Sequence, residues 1–177
     1  AKVTQPDKPV GRNGILSISP IKQVGIDNTI LVLQPVKIAN EIEVIKEMEP
    51  DLIITCAYGQ ILPQELLDIP RLGCINVHGS LLPKYRGAAP IQWSVLNGDK
   101  ETGVSTMYMD IGMDTGDMIL TEKVEIGEDE TTGELWNRLS KIGANLLVET
   151  LKQIENGTAP RKPQGDNFTL APMLDKE

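Results

Sequence analysis

Residues 51–78 decide the fold, and they read DLIITCAYGQILPQELLDIPRLGCINVH. Residues 51–56 form an apolar run rich in β-branched side chains, which is typical of a strand covered on both faces of a parallel sheet. A short helix is predicted at 64–68 and a second strand at 73–78. Because two neighbouring parallel strands need a crossover between them, this order predicts a β-α-β unit.

The flanking segments continue the alternation of strand and helix. Residues 29–33 predict a short buried strand, and Asn40 is placed to cap a helix that ends at Pro50. After the central unit, a helix is predicted at 88–96 and two strands at 104–109 and 118–124, joined by a Gly- and Asp-rich loop. We therefore predict an α/β domain with a Rossmann-like, mostly parallel sheet and helices on both faces, in which ligands bind at the carboxyl ends of strands.

The long helix that follows residue 131 has the clearest signals in the chain. Thr131 and Glu134 have the spacing of a capping box, and Asn156 with Gly157 marks the end of the helix. Apolar residues recur at helical intervals between these ends and predict one buried face: Leu135, Leu139, Ile142, Leu146, Thr150, Leu151 and Ile154.

Length and composition exclude several classes of protein. The 177 residues fit one α/β domain, and 40% hydrophobic with 24% charged residues is typical of a globular protein. The longest apolar stretches have the length of strands, so no membrane span is predicted. A net charge of -8 disfavours broad, non-specific binding to nucleic acid. The two cysteines, Cys56 and Cys74, are predicted to be buried thiols in a reducing compartment, either the cytoplasm or an organelle matrix.

The only histidine of the sequence, His78, stands at the carboxyl end of the predicted strand 73–78, two residues after Asn76. Because side chains alternate along a strand, both lie on one face, at the edge where open α/β sheets bind ligands. The pattern leaves two interpretations equally open. His78 is either a catalytic imidazole beside an amide donor or a histidine that only bonds a loop carbonyl.

Carboxylates that could orient His78 cluster in the loop between the last two predicted strands, at Asp110, Asp114 and Asp117. The alternative interpretation is a simple turn, since Asp and Gly favour turns by themselves. The spacing does not match a calcium loop, and one histidine without paired cysteines offers too few ligands for zinc. No metal site is therefore predicted.

A side-chain nucleophile is not predicted either, because Ser80 lies only two residues from the histidine that would have to activate it. An amide, an imidazole and a carboxylate without a nucleophile suit direct transfer of an acyl group to an amine. Asn76 and protonated His78 could hydrogen-bond the developing oxyanion, while Asp114 holds the imidazolium and helps to remove the proton of the amine.

Two motifs make this interpretation specific. Residues 76–87, NVHGSLLPKYRG, and residues 113–117, MDTGD, resemble the signatures of the folate-dependent formyltransferases. The resemblance extends from Val3 to Glu177 and implies the formyltransferase fold, 10-formyltetrahydrofolate as co-substrate and no metal. It also implies that the catalytic residues are Asn76, His78 and Asp114, the same three residues that the local chemistry selects.

Within that family, residues 4–12 and 86–92 look like the branch that formylates methionyl-tRNA rather than the purine-pathway or nucleotide-sugar enzymes. The resemblance then implies transfer to the α-amine of initiator methionyl-tRNA, whose acceptor end would contact Arg12. A monomer without a membrane partner is expected. Two stretches would border the pterin pocket, through backbone groups and apolar contacts: Gln60, Ile61 and Leu62, and Asp110, Ile111, Gly112 and Met113.

The sequence also departs from the family pattern. The lysines that usually follow the loop arginine are replaced by NGILS at residues 13–17. We also expect residues 1–177 to lack the family's first strand and its C-terminal β-barrel. We therefore expect residues 1–177 to be a single formyltransferase catalytic domain and a fragment of a longer enzyme. Two alternative functions stay open: formylation of an amino-sugar nucleotide, as in a sister enzyme, or folate binding by a fragment without turnover.

Overall fold

The computed structural model describes residues 1–10 and 15–175. The strands are β1 (Lys2–Val3), β2 (Lys8–Val10), β3 (Ile15–Ser17), β4 (Val32–Leu33), β5 (Ile53–Cys56), β6 (Cys74–His78), β7 (Glu101–Tyr108) and β8 (Met118–Glu125). The helices are α1 (Pro20–Asp27), α2 (Ile42–Glu47), α3 (Gln64–Leu67), α4 (Pro90–Leu96) and α5 (Thr132–Glu155), and a 3-10 turn at Ile38–Glu41 precedes α2.

The main sheet has four strands in the order β5, β6, β7, β8. β5 and β6 are parallel, whereas β6 with β7 and β7 with β8 are antiparallel. The predicted α/β class is confirmed, but this sheet is mixed and not mostly parallel. The connection between β7 and β8, residues 109–117, is too short for a crossover helix and forms a hairpin, which makes that pair antiparallel. Two small sheets pair β1 with β4 and β2 with β3.

Helices cover both faces of the main sheet, as predicted. On β6, Cys74 packs in a cluster with residues of α2 and α3, and Ile75 packs on the opposite face with Ile154 of α5. A third cluster joins α4, α5 and β7 through Ile91, Val104, Leu135, Leu139 and Leu146. Because residues alternate along β6, Asn76 and His78 lie on the same side as Cys74.

The capping box predicted for α5 is present. Thr131 Oγ1 accepts from the backbone N–H of Glu134 at 3.3 Å, and Glu134 Oε2 accepts from the N–H of Thr131 at 2.9 Å. The helix ends at Asn156 and Gly157, as predicted, with Gly157 at φ +69°. Thr150 is fully buried and shares a 2.8 Å hydrogen bond with Thr106 Oγ1, which fastens α5 to β7. No helix in the described part of the chain is long and apolar enough to cross a membrane.

Several local predictions at the start of the chain are wrong. Asn40 does not cap α2, because it lies inside the 3-10 turn, and no side chain caps either the turn or the helix. Of the strand predicted at residues 29–33, only Val32–Leu33 forms. Ile54 of β5 is 42% exposed and Cys56 is also exposed, since α5 packs on β7 and β8 and does not cover this face of β5. Only Cys74 is the buried thiol that we predicted.

We expect the packing of α5 to dominate stability. Leu135 is 0% exposed, so Leu135→Ala should lower the free energy of unfolding by about 2–5 kcal/mol, through lost transfer energy and a cavity. The matched control is Leu96→Ala, because Leu96 is 63% exposed and its truncation should cost less than about 0.5 kcal/mol. Urea unfolding of both variants measures the difference. Equal losses would contradict the assignment of the core.

Candidate active site

His78 lies at the carboxyl end of β6 and is only 5% exposed. Its strand position pairs with Ser105 of β7, and Asn76 pairs with Thr55 of β5 on one side and Met107 of β7 on the other. The sheet therefore fixes the backbone of Asn76 from both neighbouring strands and that of His78 from β7. Asn76 and His78 share one face of β6, as the alternation of side chains predicts.

Asp114 reaches His78 from the loop between β7 and β8. Its Oδ2 lies 3.6 Å from His78 Nδ1 and accepts a 2.9 Å hydrogen bond from the backbone N–H of Gly87. The contact between the predicted histidine and the predicted carboxylate is therefore present. The distance of 3.6 Å is longer than a hydrogen bond, so Nδ1 is close enough to feel the carboxylate charge and still free to bond a third group.

The other ring nitrogen of His78 is fully engaged. Nε2 lies 2.8 Å from the backbone carbonyl oxygen of Tyr85. A carbonyl only accepts hydrogen bonds, so the proton of the neutral ring belongs on Nε2. It follows that Nδ1, beside Asp114, carries no proton in the neutral ring and presents a lone pair. The sequence left open either a catalytic ring or a ring bonded to a loop carbonyl, and the structure shows the carbonyl bond together with the carboxylate contact.

Asn76 is oriented by its neighbour on β5. The hydroxyl of Thr55 donates to Asn76 Oδ1 at 2.8 Å. No oxygen among residues 1–10 and 15–175 accepts a hydrogen bond from Asn76 Nδ2, and the side chain is partly exposed. The amide N–H group is therefore available to a ligand at this edge of the sheet.

The loop that carries the Tyr85 carbonyl is held rigidly, although Tyr85 has a left-handed backbone with φ +62°. Its phenol donates to Asp99 Oδ2 at 2.8 Å and accepts from Asn97 Nδ2 at 2.8 Å. Lys84 pairs with the same carboxylate at 2.7 Å. Partial burial lowers the pKa of Lys84, but the hydrogen bond and the charge of Asp99 outweigh it and raise that pKa overall.

Two serines brace the same loop from within. Ser105 Oγ donates to the carbonyl of Ser80 at 2.7 Å and accepts from the N–H of Leu82 at 3.1 Å. Ser80 is fully buried, and its hydroxyl donates to the carbonyl of Lys84 at 2.6 Å. The hydroxyl of Ser80 therefore has a partner within the loop.

The residues expected around a pterin pocket divide into two groups. Exposed apolar side chains stand on both loops, with Ile61 83%, Ile111 65% and Met113 64% exposed. The other predicted pocket residues form hydrogen bonds or pack within the protein. Gln60 bonds the backbone of residues 36 and 38, Leu62 is buried in the core, and Asp110 Oδ1 accepts from Gly112 N and Thr115 Oγ1. Arg12 lies outside the described residues.

Other candidate sites are not supported. No group of three or more His, Cys, Asp or Glu residues that could hold a metal occurs within the described ranges. A groove of about 650 Å³ is lined by Pro50, Asp51 and residues of α2 and α3. It lies at the amino end of β5, the opposite edge of the sheet from His78, because Pro50 and Asp51 precede that strand.

The sequence analysis did not predict three chemical groups that hold the residues of this site. They are the carbonyl of Tyr85, the N–H of Gly87 and the hydroxyl of Thr55. The first two are backbone groups, so no residue type signals them. The third would have been visible only from the register of β5 against β6.

Comparison with known proteins identifies the family. The chain matches the family described as Formyl transferase over residues 1–151. It belongs to the formyl transferase family. The motifs at residues 76–87 and 113–117, on which the resemblance rested, both lie within the matched region.

Two similar relatives are named methionyl-tRNA formyltransferase. The chain is 57% identical over 179 residues to the methionyl-tRNA formyltransferase of Acetivibrio thermocellus, with 99% of this chain and 58% of that protein covered. It is 56% identical to the methionyl-tRNA formyltransferase of Clostridioides difficile, with 98% of this chain and 57% of that protein covered. The chain therefore spans less than two thirds of the length of these relatives.

Solved structures confirm the formyltransferase fold. Glycinamide ribonucleotide transformylase 1 from Symbiobacterium toebii superposes with a TM-score of 0.76 at 19% identity, over 84% of this chain and 76% of that chain. A 4-N formyltransferase from Francisella tularensis has a TM-score of 0.72 at 24% identity, over 85% and 60% of the two chains. At these identities the likeness shows the fold alone.

The tautomer of His78 is directly measurable. Because the Tyr85 carbonyl accepts from Nε2, we expect the neutral ring to carry its proton on Nε2 and none on Nδ1. Nitrogen-15 NMR of histidine-labelled protein reports both assignments, and His78→Gln identifies the signal by removing it. A neutral ring protonated at Nδ1 would contradict the geometry.

Proposed function

We propose that this chain carries the catalytic chemistry of a methionyl-tRNA formyltransferase. It transfers the formyl group of 10-formyltetrahydrofolate to the α-amine of methionyl-initiator tRNA. The observation that carries the proposal is the contact between His78 Nδ1 and Asp114 Oδ2, on a strand end that also presents Asn76. Identities of 57% and 56% to two methionyl-tRNA formyltransferases support the choice of acceptor.

The reaction needs no covalent intermediate with the protein. The amine nitrogen attacks the formyl carbon, and the carbonyl oxygen becomes an oxyanion in a tetrahedral intermediate. The bond from this carbon to N10 of the folate then breaks, and N10 takes up the proton that the amine has lost. The products are formylmethionyl-tRNA and tetrahydrofolate, so atoms and charges balance. An α-amine has a pKa of about 8, so a useful neutral fraction exists at neutral pH.

His78 is suited to stabilise the oxyanion through Nδ1. When the ring is protonated, Nδ1–H donates to the oxyanion, while the Asp114 carboxylate at 3.6 Å balances the positive charge of the imidazolium. When the ring is neutral, the bare Nδ1 can accept the proton of the amine. The Tyr85 carbonyl keeps Nε2 out of these exchanges and fixes the ring plane.

Asn76 supplies the second donor to the oxyanion. Thr55 occupies Oδ1 of the amide, which leaves the Nδ2–H group for the substrate oxygen. Donors that are already oriented cost no reorganisation when charge develops, which is the main source of their catalytic effect. In this proposal, Thr55 acts only by orienting the amide.

The folate would lie against the exposed apolar side chains next to this site. Ile61, Ile111 and Met113 are each more than 60% exposed, and they offer an apolar surface to a flat pterin ring. The backbone of residues 60–62 and 110–113 would supply its hydrogen bonds. In the same proposal Arg12 contacts the tRNA acceptor end, residues 1–177 form one catalytic domain, and the enzyme works as a monomer in the cytoplasm or an organelle matrix.

The catalytic roles can be tested in the full-length enzyme. We expect His78→Ala or Asp114→Asn to lower kcat by about 10²–10⁴-fold, because each removes proton transfer or charge stabilisation in the transition state. Asn76→Ala should lower kcat by about 10²–10³-fold, the usual effect of losing one oxyanion donor. The dissociation constant for folate should change little in all three variants.

The matched control is Asp129→Asn, which removes an exposed carboxylate far from β6 along the chain and should leave kcat unchanged. Thermal unfolding of every variant separates loss of chemistry from loss of folding. Turnover close to that of the unmodified enzyme in a folded His78 or Asp114 variant would refute the mechanism.

The identity of the acceptor needs its own assay. With 10-formyltetrahydrofolate as donor, we expect formyl transfer to initiator methionyl-tRNA and none to an amino-sugar nucleotide at equal concentration. Preferential formylation of the sugar would favour the sister activity. Calorimetric binding of folate without transfer to either acceptor would instead indicate a chain that binds folate without turnover.

A further inference from the structure

Residues 164–172 lie along the loop that carries the Tyr85 carbonyl and the Gly87 N–H group. We call these residues the 164–172 segment. Leu170 pairs with Arg86 as a parallel β-bridge. The hydrogen bonds are Tyr85 N to Thr169 Oγ1 at 2.9 Å, Arg86 N to Thr169 O at 2.9 Å, Ala171 N to Arg86 O at 2.7 Å, Ala89 N to Ala171 O at 3.0 Å and Trp93 Nε1 to Pro172 O at 2.8 Å. The segment thus fixes the loop that bonds His78 Nε2.

Gln164, at the start of this segment, also reaches the other active-site loop. Its Nε2 donates to the backbone carbonyl of Asp114 at 2.9 Å and to that of Gly116 at 2.8 Å. Its Oε1 accepts from Arg86 Nε at 2.9 Å. One carboxamide therefore links the loop that presents Asp114 to the loop that presents the Tyr85 carbonyl and the Gly87 N–H group.

The Asp114 loop needs such support, because its conformation is strained and crowded. Asp114 has φ +53°, a left-handed conformation that residues with a side chain rarely adopt. At Gly116, a Cβ would lie 2.0 Å from the carbonyl oxygen of Tyr108, so the loop passes very close to the end of β7. Gln164 bonds the carbonyls of both residues, which holds this turn in place.

Arg86 makes the other end of the link rigid. Its side chain is 8% exposed, and its guanidinium stacks over the ring of Phe168 at 4.6 Å. Among the described residues, Arg86 forms no ion pair, so the carbonyl oxygen of Gln164 is the side-chain acceptor that orients it. The guanidinium is therefore held between Gln164 and Phe168 of the same segment.

We propose that Gln164 is a positioning residue for formyl transfer, which sets the distance between Asp114 and His78. It does not touch the reacting atoms, and it acts by holding the loop that presents Asp114 against the loop of Arg86. The inference rests on the proposed function, because the distance matters only if the two residues work together in the reaction. Nothing in the spacing of the sequence marked Gln164 for this role.

The test uses two variants of the full-length enzyme. Gln164→Met keeps the length of the side chain and removes all three hydrogen bonds. Gln164→Glu keeps an oxygen that accepts from Arg86, but it replaces the two bonds to the Asp114 loop by a carboxylate oxygen that repels both loop carbonyls. We expect kcat to fall between about ten- and a hundredfold in both, because a misplaced catalytic group costs up to about 10²-fold. KM for folate and for the acceptor should change less than about threefold.

The decisive comparison is between the effect of a Gln164 substitution in the unmodified enzyme and its effect in an enzyme that already carries Asp114→Asn. In an Asp114→Asn enzyme, adding Gln164→Met or Gln164→Glu should cause no further loss of kcat, because the group that Gln164 positions is already removed. The matched control is Gln23→Met, an exposed glutamine that bonds Asp27 and should change nothing. Thermal unfolding checks that each variant is folded.

The outcomes are distinguishable. A full kcat in either folded Gln164 variant, or an equal fractional loss in both backgrounds, would overturn the positioning role and leave the formyl transfer intact. If Gln164→Met does not fold, the Glu variant alone decides, since it keeps the contact with Arg86. If the unmodified enzyme transfers no formyl group to any acceptor, the proposed function fails first.

Discussion

The rest of the site depends on how the imidazole of His78 is held between two loops. A backbone carbonyl accepts from Nε2 at 2.8 Å, and a carboxylate faces Nδ1 at 3.6 Å. The first contact fixes the ring and its tautomer, and the second leaves the nitrogen beside the charge free to meet a substrate. In the proposed reaction, the imidazole is rigid on the Nε2 side and offers Nδ1 to the substrate, as electrostatic catalysis requires.

Different secondary-structure elements present the side chains of this site. β6 presents Asn76 and His78 from the middle of a sheet covered by helices on both faces. The hairpin of β7 and β8 presents Asp114, and this is why the mixed character of the sheet matters, since a crossover helix here would carry the carboxylate away. Gly87, at φ +121°, lets the loop approach within bonding distance of Asp114, and a Cβ there would lie 2.8 Å from the Ala171 carbonyl.

Much of the site could be predicted from local patterns. The alternation of side chains placed Asn76 and His78 on one face, and the family motifs selected Asp114, now found beside the ring. What the sequence could not show are contacts through backbone groups and between distant residues. Gln164 lies 50 residues from Asp114 and 78 from Arg86, and no pattern of spacing connects them. The exposed face of β5 was mispredicted for a similar reason, because the position of α5 on the sheet decides it.

The central claim is that His78 and Asp114 act as one unit, and a double-variant cycle in kcat tests it most directly. If the carboxylate works only through the ring, the enzyme with both His78→Ala and Asp114→Asn should be about as slow as the slower single variant. If the double variant instead loses kcat by the product of the two single-variant factors, the two residues act independently, and the account is contradicted.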